Sequence, residues 1–487
     1  MADLRRTKIL ATLGPATDAP GVLDAILEAG VDVVRLNFSH GTPGEQRARA
    51  EAVREAAARV GREVGILADL PGPKIRIERF AEGRVQLRSG ARFDLIARAD
   101  APPGDATAVG VSYLGLPGDL AAGDVLLLDD GMVQLRVERI EGDRIATTVL
   151  NDGELSDRKG LNKQGGGLSL GAITDRDREL IAEAAGMGVD FIAVSFCRNA
   201  EDMEEARRLA RAGGSDAALV SKIERAEAIA NLAEIIEASD VVMVARGDLG
   251  VETGDAELPG LQKKIIRESL ARNRVVITAT QMLQSMVESP MPTRAEVLDV
   301  ANAVIDGTDA VMLSAETAAG QHPVRAVEAM ARICLGAERQ FHHDTDFEAA
   351  PRGLQRADEA IAMAAMFLSE HIDVRAIVAM TESGGTARFL SRFRSSAPVF
   401  GLSRHASSRR QMALMRSVVP LAFDSRGMDL RQATGRAIAE LFAADLLDEG
   451  DRLLFTGGDH METHGATNTL RLLQVGEGGR TEPIAAL

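Results

Sequence analysis

Residues 220–252, VSKIERAEAIANLAEIIEASDVVMVARGDLGVE, hold two apolar β-branched runs, each closing on charge. The first ends Ser221-Lys222-Ile223-Glu224 and the second Val244-Ala245-Arg246-Gly247-Asp248. A helical segment joins them. Two parallel strands joined by a helix bring both C-terminal ends to one rim, where Lys222, Glu224 and Asp248 can converge. Two carboxylates beside an ammonium suit a divalent cation and an anionic ligand. Solvated strand-end charges or structural ion pairs account for the same residues, so this segment alone leaves the choice open.

The same beat runs outward in both directions. Buried-type strands are expected at Thr7–Thr12, Val31–Asn37, Val64–Leu70, Phe191–Phe196, Ala218–Ile223, Val241–Ala245, Val275–Ala279 and Ala310–Leu313. Helical patterns follow most of them: Gly21–Glu28, Glu45–Arg59, Met203–Ala212, Leu258–Arg272, Arg294–Asp306 and Pro323–Arg339. Eight such units have the pattern of an α/β fold, a parallel (β/α)8 TIM barrel, with distinctive polar residues placed just after the strands. Pro73 to Gly171 has a different texture, with short alternating runs between Gly and Asp turns. It reads as an inserted small β-barrel domain hinged at Pro71-Gly72-Pro73 and Gly165-Gly166-Gly167, placed to act as a lid. A polar, Arg-rich stretch from Phe341 to Arg356 marks another boundary, and βα-like units after it predict a C-terminal α/β domain. The expected division is 1–72 with 172–345 for the barrel, 73–171 for the lid and 346–487 for the third, regulatory domain.

At 487 residues, 45% hydrophobic and 26% charged, the composition is that of an ordinary soluble protein. A net charge of −16, no Trp and one Tyr argue against nucleic-acid partners and anionic membrane surfaces. No spanning apolar run or signal peptide is evident, and only Cys197 and Cys334 are present, so a reducing, cytoplasmic setting is expected. Seven lysines stand against 49 arginines. Where a Lys persists in so arginine-rich a chain, a compact ammonium is indicated, and Lys8, Lys74 and Lys222 all fall within or beside strand-like runs.

Several segments, taken in order, resemble pyruvate kinase across essentially the whole chain. They are Arg6-Thr7-Lys8-Ile9, Arg35-Leu36-Asn37-Phe38-Ser39-His40-Gly41, Ser221–Arg225, Met243–Glu252, Ala279-Thr280-Gln281-Met282-Leu283, Pro292–Glu296 and Asp306–Thr317. The resemblance implies the last step of glycolysis: phosphoryl transfer from phosphoenolpyruvate to ADP, giving pyruvate and ATP in a cytoplasmic homotetramer. It implies that Glu224 and Asp248 bind Mg2+, with Mn2+ as a substitute, and that Lys222 neutralises the transferring phosphoryl group. The backbone of Gly247 and Asp248, in a turn, would hold the substrate carboxylate. Arg35 and Arg76 would stand near phosphate, and Thr280 near the substrate and its incoming proton. Asn37, His40, Arg76 and Lys159 would face the nucleotide.

Departures from the family pattern matter as much. The K+ pocket of many members corresponds to Asn37, Ser39, Asp69 and the carbonyl of Leu70. Here Asp69-Leu70-Pro71-Gly72-Pro73-Lys74 carries Lys74 where those members have Glu, so a tethered ammonium is expected to replace K+. Asn162-Lys163-Gln164-Gly165 and Gly171 also depart from the pattern, at the hinge. Thr381, Ser383, Gly384, Gly385 and Thr386 resemble the allosteric sugar-phosphate loop. Glu382 and Gly385 there favour a phosphorylated monoester or nucleotide effector over a bisphosphate, and a plain N-cap and turn explains the same residues. Gly457–His460 and His464–Asn468 resemble the rest of that region, and His460 with His464 makes no metal site. Two other readings stand beside this one: a Mg2+-dependent lyase or aldolase, and a sugar-phosphate sensor without catalysis.

Overall fold

The structure, a computed structural model, describes residues 4–339, 354, 356–393, 395–459 and 465–482. His460, His464 and most of the stretch from Phe341 lie outside them. Eight parallel strands close into a barrel. They are β1 (Lys8–Thr12), β2 (Val33–Asn37), β3 (Gly65–Asp69), β4 (Phe191–Val194), β5 (Ala218–Ile223), β6 (Val241–Ala245), β7 (Val275–Ala279) and β8 (Ala310–Leu313). All eight coincide with the expected runs to within two residues at either end.

Strand alternation explains both the core and the site. Ile9, Val34, Ile66, Leu219 and Val242 point outward into the layer shared with the helices. Leu10, Val33, Leu67, Phe191, Val220, Met243, Ile277 and Met312 fill the barrel interior. Two residues further along the same inner face come Thr12, Arg35, Asp69 and Lys222. The periodicity that packs the interior therefore delivers these polar groups to its C-terminal mouth. The outer helices start where capping chemistry dictates. Thr42, Thr174 and Thr293 each form a reciprocal capping box with the acidic residue three positions on.

The inserted segment forms a six-stranded sheet and a two-stranded ribbon, tied by single bridges such as Arg76↔Gly160 and Ile77↔Val111. Its own core centres on Phe93, Leu95, Leu126, Leu135 and Ile145. After the barrel, a six-stranded sheet runs in the order Val418–Ala422, Val399–Ser403, Ala376–Met380, Arg452–Gly457, Thr469–Val475, Thr481–Glu482. Its first four strands are parallel and the last two antiparallel.

This last domain seals the N-terminal end of the barrel. Arg392 forks onto Asp309, both side chains fully buried, and Asp309 also accepts the amides of Val276 and Arg416. Arg410 pairs with Asp190 at 2.7 Å and Arg409 with Glu63 at 2.5 Å. Lys8 belongs here and not to the mouth: its ammonium donates to the Val418 carbonyl at 2.6 Å, and burial pulls its pKa down to about 8. Its position at the start of β1 explains this, since strand starts lie at the opposite end from strand finishes.

Candidate active site

At the mouth, Lys222 is the hub. Its Nζ lies 2.9 Å from Glu224 Oε1, 3.2 Å from Asp69 Oδ1 and 2.7 Å from Ser195 Oγ. Arg35 Nε donates to the other Asp69 oxygen at 2.6 Å, and Arg35 Nη1 to Thr12 Oγ1 at 3.2 Å. Ser195 in turn donates to the Leu70 carbonyl at 2.7 Å. Burial alone would discharge the Lys222 ammonium, but Asp69 and Glu224 outweigh it and hold the pKa above its ordinary value. Asp69 is kept low in the same way: burial is overcome by Lys222 and Arg35. Glu224 goes up, chiefly from burial, with Lys222 opposing and the charge of neighbouring Asp248 adding.

Glu224 is steered by Phe196, whose backbone N–H donates to its Oε2 at 2.9 Å from a left-handed conformation (φ 57). Asp248 stands on a helix, Arg246–Thr253, where a turn was expected. Its Oδ1 takes the ammonium of Lys74 at 2.9 Å. The Gly247 N–H, expected to hold a substrate carboxylate, donates to Thr280 Oγ1 at 2.9 Å. Thr280 and Gln281 both occupy the left-handed region (φ 70 and 54), a costly conformation for a β-branched residue. Buried Arg246 supports it by donating to the carbonyls of Ala279, Thr280 and Gln281, and it is anchored on Asp299 at 2.7 Å.

The structure thus brings together Arg35, Asp69, Lys222, Glu224, Asp248 and Lys74, with Thr280 beside Gly247. Other expected contacts are engaged elsewhere. Arg76 is exposed and donates to the Arg158 carbonyl at 3.0 Å, while Lys159 pairs with Asp129 at 2.9 Å, all within the inserted domain. The Asn37 side chain accepts the Ser39 amide at 3.1 Å, inside its own turn, and His40 is exposed. Ser195, Phe196 and Arg246 were not assigned roles from sequence. Ser195 follows Ala193 at strand spacing, which was the available signal; the contacts of Phe196 and Arg246 are set by backbone turns that carry no periodic trace. Cys197 and Cys334 are free and buried; burial raises both thiols, Cys334 to about 12, so neither is a nucleophile.

A divalent cation fits this donor set. Glu224 and Asp248 offer oxygen only, and burial, with the charge of Asp248 adding, raises Glu224. Among the described residues no group of three or more His, Cys, Asp or Glu could hold a metal. Two carboxylates with no third protein ligand suit a hard divalent cation that keeps open positions.

The inserted domain is tied to this rim at both hinges. A Cβ on Gly72 (φ 64) would lie 2.8 Å from Ser195 Cβ, and one on Gly166 (φ 75) would lie 2.5 Å from the Glu227 carboxylate. Gly165 N–H donates to the Glu252 carbonyl, and Asn162 and the Ala226 amide reach the Glu252 carboxylate at 3.4 and 3.0 Å. Burial lifts that carboxyl from 4.5 to about 7, with Glu227 adding and the Ala226 amide and Arg225 opposing. A raised carboxyl pKa favours folding fully below the ordinary value, and the benefit is lost as pH rises through the folded value. Glu252→Gln is therefore expected to be more stable than wild type at pH 8, by about 3 kcal/mol, with the gap closing toward pH 5. Urea unfolding at both pH values checks it; a gap independent of pH would refute the assignment.

Comparison with known proteins gives a consistent picture. A family model described as pyruvate kinase, barrel domain, matches residues 4–327, and one described as pyruvate kinase, alpha/beta domain, matches residues 359–473. The chain is 53% identical to pyruvate kinase II of Salmonella typhimurium, over 97% of this chain and 99% of that one. It is 49% identical to a pyruvate kinase of Haemophilus influenzae, with the same coverage. A crystal structure of a pyruvate kinase from Cryptosporidium parvum superposes with a TM-score of 0.90 at 32% identity, covering 96% of each chain. No helix among the described residues is long and apolar enough to cross a membrane.

Proposed function

The chain belongs to the pyruvate kinase family and is a phosphotransferase, and from that premise we propose how its residues perform the reaction. The phosphoryl group moves from phosphoenolpyruvate to ADP, in the cytoplasm, with Mg2+ required and K+ not. The observation that carries this reading is Lys222, an ammonium kept charged between two buried carboxylates at the barrel mouth. Phosphoryl transfer asks a protein mainly for positioning and for positive charge on the equatorial oxygens. Lys222 and Arg35 supply that charge. Both are held by Asp69, so neither has to reorganise during the reaction. Glu224 and Asp248 would hold Mg2+, which when bound neutralises developing charge on the phosphoryl oxygens. Thr280, fixed at the end of β7 by Arg246, would orient the proton delivered to the enolate. Arg76, Lys159, Asn37 and His40 are assigned to the nucleotide, with the inserted domain moving as a lid.

Turnover of phosphoenolpyruvate and ADP to pyruvate, with Mg2+ and in a buffer free of K+ and NH4+, tests the reading. Turnover only with K+ would keep the reaction and refute K+ independence. No turnover in either buffer, with sugar monophosphates or AMP added, would favour a lyase or a sensor.

Lys74 stands on Asp248 and not on Asp69 of the expected K+ pocket, which Lys222 and Arg35 hold instead; K+ independence rests on the tethered charge it brings to the same rim. The backbone of Gly160 in the lid packs on its stem: a Cβ there would lie 3.2 Å from Lys74 Cε. Lys74→Glu is expected to lose roughly tenfold or more of its activity without K+, about 1.4 kcal/mol in the barrier, and to regain it when K+ is added. A variant indifferent to K+ would refute the replacement.

Thr381, Ser383, Gly384, Gly385 and Thr386 are assigned to a phosphorylated effector. All but Gly384 border a cavity of about 320 Å³, together with Arg356, Gly458 and Thr467. A homotetramer completes the proposal. Met291 and Leu298, about 70% exposed around the start of helix Arg294–Asp306, support a subunit contact there.

A further inference from the structure

A second cavity, about 270 Å³, lies between the closed end of the barrel and the C-terminal domain. Phe191, Val241 and Val275, which open strands β4, β6 and β7, form an apolar floor with Leu414 and Met415 of the other domain. Arg207, Arg211, Asp216 and Asp240 stand on the wall. Another part of the wall is Ser383–Gly385 with Arg388, of which Ser383, Gly385 and Arg388 also line the 320 Å³ cavity.

Arg388 is the unusual member. Three neighbouring arginines are committed: Arg207 to Asp240 at 3.0 Å, Arg274 to the carbonyls of Ile236 and Glu237, Arg392 to Asp309. Arg388 has no ion pair among the described residues, and its buried Nε has no hydrogen-bond partner. A cation–π contact runs to the Phe389 ring, at 5.5 Å. Burial, then repulsion from Arg274 and Arg392, lowers its pKa, with Asp240 opposing. A largely desolvated guanidinium without an ion pair, repelled by two arginines and only partly offset by Asp240, is costly, and an anion relieves the cost.

We propose that the 270 Å³ cavity is a ligand site of its own, taking a small acid with an apolar or aromatic body. The acid group, carboxylate or phosphate monoester, pairs with Arg388, and the body lies on Phe191, Val241, Val275 and Leu414. The site is separate from the 320 Å³ cavity assigned to the effector, and it does not depend on that assignment. It also lies at the far end of the barrel from Lys222, so its occupant is not a substrate.

The test is calorimetric titration of the full-length protein with phenyl phosphate and, separately, phenylacetate. Inorganic phosphate serves as the control without an apolar body. Ala217→Leu narrows this cavity alone, Ala466→Leu narrows the other alone, and Arg388→Met removes the cation. Ala217 is remote from the mouth, so Ala217→Leu should keep the basal turnover, which also reports that the variant is folded. The expected result is saturable binding of at least one aromatic acid, tighter than inorganic phosphate. Ala217→Leu and Arg388→Met should each weaken it about tenfold or more, a loss of 1.4 kcal/mol, with Ala466→Leu unchanged. The arm that binds identifies phosphate or carboxylate. Binding lost in Ala466→Leu and retained in Ala217→Leu would move the ligand to the other cavity and overturn the proposal. No saturable binding of either acid, or binding indifferent to Arg388→Met, would overturn it as well.

Discussion

Lys222→Met is expected to lower kcat by about 10³-fold or more, the scale on which a single cation acts on a transferring phosphoryl group. KM for ADP should change far less, because the proposed role puts Lys222 on the phosphoryl group and not on the nucleotide. The same change leaves Glu224 and Asp69 buried with a partner missing, so thermal stability should also fall, by about 3–5 kcal/mol at neutral pH. The sign of the pH dependence follows. Lys222 holds Asp69 low and opposes the rise of Glu224, so in its absence both carboxyls bind protons more readily. The stability deficit should therefore shrink as pH falls. Turnover at a temperature well below the variant's Tm separates the two effects. A kcat within tenfold of wild type would remove Lys222 from the chemistry.

Arg246→Met should have the second largest effect. Its guanidinium holds three consecutive main-chain carbonyls, 279–281, and through them the strained Thr280. Without it, Thr280 is expected to relax out of the left-handed region and its Oγ1 to leave the Gly247 N–H. A misplacement of this kind, on the order of 1 Å, costs roughly 10²-fold in rate. The loss should fall on kcat, with KM for phosphoenolpyruvate nearly unchanged if Thr280 acts on the proton step. Arg246→Lys should recover little, since a point charge cannot serve several carbonyls spread across a turn. A variant with lower Tm and wild-type kcat would make Arg246 a structural residue only.

These two residues lie on either side of what the sequence made legible. Lys222 and Glu224 stand two apart at the end of a β-branched run, so strand alternation places them on one face. The parallel connection then carries Asp248 to the same rim. Arg246 stands in the same quoted stretch, yet its role was not readable: its partners are main-chain carbonyls at the end of the adjacent strand β7, and no residue type announces a carbonyl. Ser195 was hidden for a related reason, because a serine closing a buried strand looks like any other. Lys8 shows the opposite error. It shares the composition signal of Lys74 and Lys222 but begins its strand instead of following one, and so faces the C-terminal domain.

The sequence by itself determined the eight buried strands, the helices between them, and which face of each strand meets the interior. These follow from periodicity and local capping, both written within a few residues of one another. Only the tertiary structure decided that Asp69 shares Lys222 with Glu224, that Lys74 reaches Asp248 across 174 residues, and that Arg388 stands unpaired between two cavities. Such pairings depend on barrel closure and on how the inserted and C-terminal domains seat on the barrel. Hydrophobic burial, which has no directional preference of its own, drives that seating, so the polar partners it brings together leave no pattern along the chain.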